Sequence, residues 1–155
     1  MRKICIISLF VFLLDFVTKR LVLHFLVEDE SFVLIKNFFS LTYVKNTGVA
    51  FSFFKDNVFF IILMTLLVLF FLFQYIRMHV LLKIEKIGYS FIIGGALGNL
   101  FDRFFYGYVV DFFDFYLFGY HYPIFNVADV FVVIGVFFIF LVYVRNGGGH
   151  DEVSS

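Results

Sequence analysis

Residues 58 to 76, VFFIILMTLLVLFFLFQYI, hold only two polar side chains, Thr65 and Gln74. An apolar run of this length has no polar stripe to offer water and no period-2 alternation to make a half-buried strand. It is about what a membrane-spanning helix needs, roughly 20 residues. The rest of the chain agrees. Hydrophobic residues make up 63% of it, mean hydropathy is +1.01 and 15% of residues are charged. Ordinary soluble domains are about 45–50% apolar, so the composition is that of a membrane protein. Formal net charge is zero, which gives no electrostatic footprint for a nucleic-acid partner. The lone Cys5 cannot form an internal disulfide, and in its apolar setting it is expected to be a small buried hydrophobe.

Four apolar segments are predicted to span a membrane: about 4–26, 58–76, 87–105 and 127–144. The first has a basic start and an apolar stretch like a signal peptide, but Asp15 stands where small residues should lead to a cleavage site. It is read as a retained span. Arg2 and Lys3, then Arg77, Lys83 and Lys86, then Arg145 fall on one side of a four-span chain, the cytoplasmic side. Both termini are then cytoplasmic, and residues 27–57 and about 106–126 lie outside. The first outer segment, SFVLIKNFFSLTYVKNTGVAFSFF, has β-prone runs split by Asn and Gly and is read as a small sheet on the membrane. The second, YGYVVDFFDFYLFGYHYPIF, is read as an aromatic loop able to cover a site. The expected fold is thus an all-α membrane bundle with a small extracytoplasmic β-sheet on the first outer loop. Residues 1–146 form one domain, and 147–155 a disordered cytoplasmic tail.

Polar residues within the spans fall on shared helical faces. Asp15, Thr18 and Lys19 are spaced i, i+3, i+4, as are Asn99, Asp102 and Arg103; Asn126 and Asp129 are i, i+3. All three stripes sit toward the outer ends of their spans, and ionisable residues at such depth usually face the bundle interior. The four His residues are far apart with no H-E-x-x-H, and no G-x-S-x-G occurs, so neither a zinc hydrolase nor a serine nucleophile is indicated. Carboxylates are what the inventory offers. Two of them brought close share a proton, one acting as acid and the other as base, and such a pair can hydrolyse a peptide bond. Asp111 and Asp114 both interrupt an aromatic run. Residue types alone do not say which belongs to such a pair. A small proton-coupled transporter using the same carboxylates, or a structural membrane subunit, is the alternative. The transporter would spread its carboxylates through the bilayer depth, whereas here they gather at one end.

DFVTK at 15–19, NTGVAF at 46–51, GGALGNLFDR at 94–103, VVDF at 109–112 and FNVAD at 125–129 stand in the order found in lipoprotein signal peptidases. The chain resembles that family, signal peptidase II, along all four spans and both outer segments. The resemblance implies an aspartyl endopeptidase of the bacterial cytoplasmic membrane with its site near the outer face. Its substrates would be prolipoproteins carrying diacylglyceryl on a cysteine, cut just before that cysteine. It implies no metal or organic cofactor, membrane lipids as surroundings, and action as a monomer. Carried over by motif, Asp111 and Asp129 would be the catalytic dyad, leaving Asp114 at the interface or capping a short helix. Asn46 and Gly48 would meet the substrate backbone or its lipidated cysteine. Asn99 and Arg103 would orient substrate carbonyls or hold the dyad, and Asn126 would position Asp129. Asp15 and Lys19 would be a structural ion pair, with Asp102 holding Arg103 or the loop. Val130 stands where the family often has Ser, and the chain lacks Trp.

Overall fold

A computed structural model describes residues 1–48 and 57–146. The elements run α1 (Arg2–Phe25), β1 (Ser31–Ile35), β2 (Phe39–Asn46), α2 (Val58–Met78), α3 (Lys83–Tyr106), β3 (Val109–Leu117), β4 (Tyr120–His121) and α4 (Val127–Arg145). The expected helices form, each within a few residues of its predicted bounds. Val49, Ala50 and Phe51 of the NTGVAF motif, and the expected tail, lie outside the described residues.

The helices are inside out relative to a water-soluble bundle. On α1 the buried residues are Ile4, Ser8, Val11, Asp15, Lys19 and Val22, a continuous stripe at steps of three and four. Its opposite face exposes Ile6, Leu9, Phe10, Leu13 and Val17. The polar side chains therefore point inward and the large apolar ones outward. By length and composition α2 and α4 are each apolar enough to cross a membrane. Cys5 departs from expectation: it is exposed on the outward face of α1.

Close packing of α3 on α4 depends on small residues. A Cβ on Gly135 would lie 2.6 Å from the Gly88 carbonyl oxygen, and one on Gly88 would lie 2.9 Å from that of Gly135. Further along the same helix, Gly95 faces the backbone of Ala128, and Gly94 faces that of Ser8 on α1. Removing the side chains lets three backbones approach, which is how helices gain contact area where lipid supplies no hydrophobic driving force.

The all-α expectation needs correcting. The second outer segment is not an irregular loop but strand β3, and it completes a four-stranded antiparallel sheet in the order β1-β2-β3-β4. Its Val, Phe and Tyr content suits a pleated, half-buried strand, and β2 is there to pair with it. Leu41 pairs with Phe113, Val44 with Asp111 and Asn46 with Val109, with a bulge on β2 between Leu41 and Val44. Gly107 takes φ +77 at the end of α3 and donates its N–H to the Arg103 carbonyl. That left-handed cap turns the chain straight from α3 into β3. Val22, Tyr43, Val110 and Phe112 form the core that seats the sheet on α1.

Replacing Gly135 by Leu is expected to push α4 off α3. Overpacking of this kind costs about 1–3 kcal/mol. Thermal unfolding in detergent should show a lowered midpoint, with the exposed-face variant Val136→Leu close to wild type.

Candidate active site

Five elements meet where the polar stripes converge. The lower tier is an ion cluster. Lys19 Nζ lies 2.8 Å from Asp15 Oδ2 and 3.1 Å from Asp102 Oδ2, with all three side chains at most 2% exposed. It also donates to Asn99 Oδ1 at 2.9 Å. The expected Asp15–Lys19 pair is therefore present, but it is part of a larger set. Asp102 does not bind Arg103 as expected. It faces Lys19 and Arg20, and its Oδ2 accepts the Val110 N–H at 3.2 Å. It thus holds the start of β3, the loop half of its expected role. Asp15 also reaches α4, where its Oδ1 accepts the Ala128 N–H in the first turn at 2.9 Å. A carboxylate satisfies an orphan donor there and is favoured by the helix dipole.

The upper tier is a frame of amides around two carboxylates. Asp111, 2% exposed, accepts Asn46 Nδ2 on Oδ2 at 2.8 Å and Asn126 Nδ2 on Oδ1 at 2.6 Å. Asp129, half-buried, accepts Asn99 Nδ2 on Oδ1 at 2.8 Å and the Asn126 N–H on Oδ2 at 3.2 Å. Asn126 Oδ1 in turn accepts the Asp129 N–H at 3.0 Å, so Asn126 and Asp129 form the reciprocal capping box that starts α4. Asn126 Nδ2 also reaches Asn99 Oδ1 at 3.0 Å. Asn126 therefore touches both aspartates. Asn99 Oδ1 takes donors from Lys19 and Asn126, which leaves its NH2 to face Asp129.

The remaining motif residues gather here too. Asn46 Oδ1 accepts the Gly48 N–H at 2.9 Å, and the Arg103 guanidinium donates to the Gly48 carbonyl. Arg103 Nε is buried and has no partner among the described residues. A cavity of about 540 Å³ is lined by Asn46, Asn99, Arg103, Asp111 and Asp129. Tyr122 to Phe125 and the α4 residues Val130, Val132, Val133 and Ile134 line it as well.

Burial first, and then the neighbouring Asp129 charge, pushes the Asp111 carboxyl up to about 7. The Asn46 and Asn126 hydrogen bonds and the Lys19 charge oppose that rise. Asp111 is therefore a carboxyl that is still partly protonated near neutral pH.

Asp114 is on the other face of the sheet. It lies three positions along the same strand as Asp111, and in a strand an odd separation points two side chains to opposite faces. It caps no helix. Its Oδ2 accepts Thr42 Oγ1 at 2.7 Å, and its Oδ1 accepts the His121 ring N–H. Strand parity is the sequence signal that separates the two aspartates. Nothing in the sequence announces the Asn46–Asp111 contact, which exists because β2 pairs with β3.

The signal peptidase II family model matches residues 7–145. The chain belongs to the signal peptidase II family. The lipoprotein signal peptidase of Clostridium novyi (strain NT) is 40% identical over 144 residues, covering 92% of this chain and 97% of that protein. That of Clostridium tetani (strain Massachusetts / E88) is 42% identical over 142 residues, covering 90% and 91%. A solved structure described as a bacterial membrane enzyme, obtained by the in meso method at 2.3 Å, superposes with a TM-score of 0.89 at 30% identity. It covers 100% of this chain and 95% of its own. The protein is thus a membrane enzyme and an aspartic peptidase.

The raised Asp111 carboxyl gives a signed pH dependence. The folded state holds that proton more tightly than the unfolded chain, whose carboxyl titrates near 3.8. The stabilisation is fully present below about pH 4 and is lost as pH rises through about 7. Asp111→Asn, neutral at every pH, escapes that loss. Its unfolding midpoint should pull ahead of wild type as pH rises from about 4 to 8. About three units at 1.36 kcal/mol each set a ceiling of about 4 kcal/mol. A gap that stays constant with pH would contradict the shift.

Proposed function

We propose that this chain removes the signal peptide from diacylglyceryl-modified prolipoproteins, hydrolysing the peptide bond just before the lipidated cysteine, with Asp111 and Asp129 as the reacting carboxylates. The observation that carries this reading is the pair itself. Two aspartates from separate elements are held by neutral amides, bridged by Asn126, and open onto one cavity. Asp129 takes a proton from a water molecule whose oxygen attacks the scissile carbonyl carbon. Asp111 gives its proton to the carbonyl oxygen, forming a neutral gem-diol. Asp129 then passes its proton to the leaving nitrogen as the C–N bond breaks, and the diol proton returns to Asp111 as the new carboxyl forms. Arg103 Nε, buried without a partner among the described residues, is suited to donate to a substrate carbonyl. Asn46 supports the dyad through its bond to Asp111, one of the roles expected of it.

The topology belongs to the same proposal. All four helices cross the bacterial cytoplasmic membrane, both termini face the cytoplasm, and the sheet and site lie at the outer surface, with residues 1–146 acting as one monomeric domain. The inward polar stripe and outward Leu and Phe of α1 support a span in lipid despite its charges. So does the gathering of Arg2, Lys3, Arg77, Lys83, Lys86 and Arg145 at one end. Asp129 is in the first turn of α4, at the opposite end. A substrate anchored by acyl chains would present its scissile bond at that level.

Purified protein in detergent should cut a diacylglyceryl-modified prolipoprotein before the modified cysteine. Asp111→Asn and Asp129→Asn should each lower kcat by roughly 10²- to 10⁴-fold while remaining folded. The surface variant Glu28→Gln should keep wild-type turnover. Full activity in either dyad variant would overturn the assignment.

A further inference from the structure

The pair formed by Asp114 and His121 has no part in the chemistry above, yet it is bonded on every side. His121 donates its ring Nε2–H to Asp114 Oδ1. Asp114 Oδ2 accepts Thr42 Oγ1 at 2.7 Å and lies 3.4 Å from Ser40 Oγ. Thr42 Oγ1 is 2.8 Å from Ser31 Oγ. One carboxylate on β3 thus gathers groups from β2 and β4, and through Thr42 it is linked to β1. His121 is in β4, a strand of only two residues, Tyr120 and His121. Two residues of ladder against Tyr116 and Leu117 are little to fix a strand. The turn before it carries Phe118 at φ 49 and Gly119 at φ 83.

Directly after β4 the chain forms a wall of the active-site cavity. Tyr122, Pro123, Ile124 and Phe125 line it together with the motif residues. This short arch is tied to β3 near both ends. Tyr122 donates its N–H to the Phe115 carbonyl at 2.9 Å, and Phe125 exchanges backbone bonds with Phe113. Pro123 has no N–H to give, and Ile124 makes no backbone bond beyond the arch among those described. The arch is therefore placed by its anchors, which upstream are the Tyr122–Phe115 bond and β4 just before it.

We propose that Asp114 and His121 form a clasp that positions the Tyr122–Phe125 wall, and so sets how tightly the cavity closes on the residues flanking the scissile bond. The two are positioning residues: they touch the wall's anchor and not the reacting atoms. The inference rests on Asp111 and Asp129 being the reacting pair. Asp114 lies on the opposite face of β3 from Asp111, so removing it leaves the dyad's own bonds in place. A clasp on the wall changes substrate capture, and hence KM, while turnover of bound substrate stays with the dyad.

The test uses the full-length enzyme in detergent with a diacylglyceryl-modified prolipoprotein. kcat and KM are measured for His121→Ala, Asp114→Asn, the double variant and His121→Gln. His121 is 61% exposed in its side chain, so its replacement leaves the fold intact. The expected result is a KM raised about three- to tenfold in each single variant, with kcat within about twofold of wild type. The double variant should be no worse than the worse single, because both remove the same contact. His121→Gln, which keeps a donor, should recover much of the KM. Unchanged KM in both singles, or effects that simply add in the double, would overturn the clasp. A fall in kcat alone with Asp114→Asn would place Asp114 in the chemistry, overturning the clasp and the Asp111–Asp129 assignment together. Inactive Asp111→Asn and Asp129→Asn beside an unmoved KM here would sink the clasp alone.

Discussion

The buried ammonium of Lys19 is the constraint around which the outer end of this protein is arranged. An unpaired charge there would be prohibitive, and Lys19 meets two carboxylates and an amide oxygen from two helices. Each partner then reaches further. Asp15 continues to the first turn of α4, Asp102 to the start of β3, and Asn99 to Asp129. Breaking a buried pair of this kind costs about 3–5 kcal/mol because the remaining partner is left buried and charged. The stability of the cluster and the placement of Asp111 and Asp129 are consequently one property.

Among the described residues, neutral amides and not cations make direct contact with the two aspartates. Asn46, Asn99 and Asn126 supply side-chain donors without adding charge, so the carboxylates are oriented without being neutralised by a cation. A lysine or arginine in the same positions would stabilise both as anions and remove the acid. Lys19 stands one bond behind, acting on Asp129 through Asn99. Its charge tempers the rise at Asp111 without abolishing it. Donors fixed before substrate arrives need no reorganisation during the reaction.

The helical half of this arrangement is legible in the sequence, because spacing of three and four puts Asp15 with Lys19, Asn99 with Asp102 and Arg103, and Asn126 with Asp129 on single faces. The glycines at 94, 95 and 98 signal close helix packing in the same way. The sheet half is less legible. Pairing between β2 and β3 joins residues far apart in the chain, and no local pattern specifies it. The second outer segment consequently reads as a loop and the fold as all-α. Asp102 is a different case: adjacent to Arg103 in sequence, it points elsewhere, because neighbouring helical positions do not face each other. Cys5 misleads because the apolar segment around it is exposed outward.

The central claim is that Asp111 and Asp129 form one coupled unit holding a proton near neutral pH. The most direct measurement is an NMR pH titration of the protein in detergent with aspartate carboxyls labelled with ¹³C, assigned by the Asp111→Asn and Asp129→Asn variants. Coupling predicts that the Asp111 carboxyl titrates near 7 in the wild type and shifts to lower pH when Asp129 is replaced by Asn. An Asp111 titration that does not move on that replacement would mean that the two carboxyls are independent, and the shared-proton account would fail.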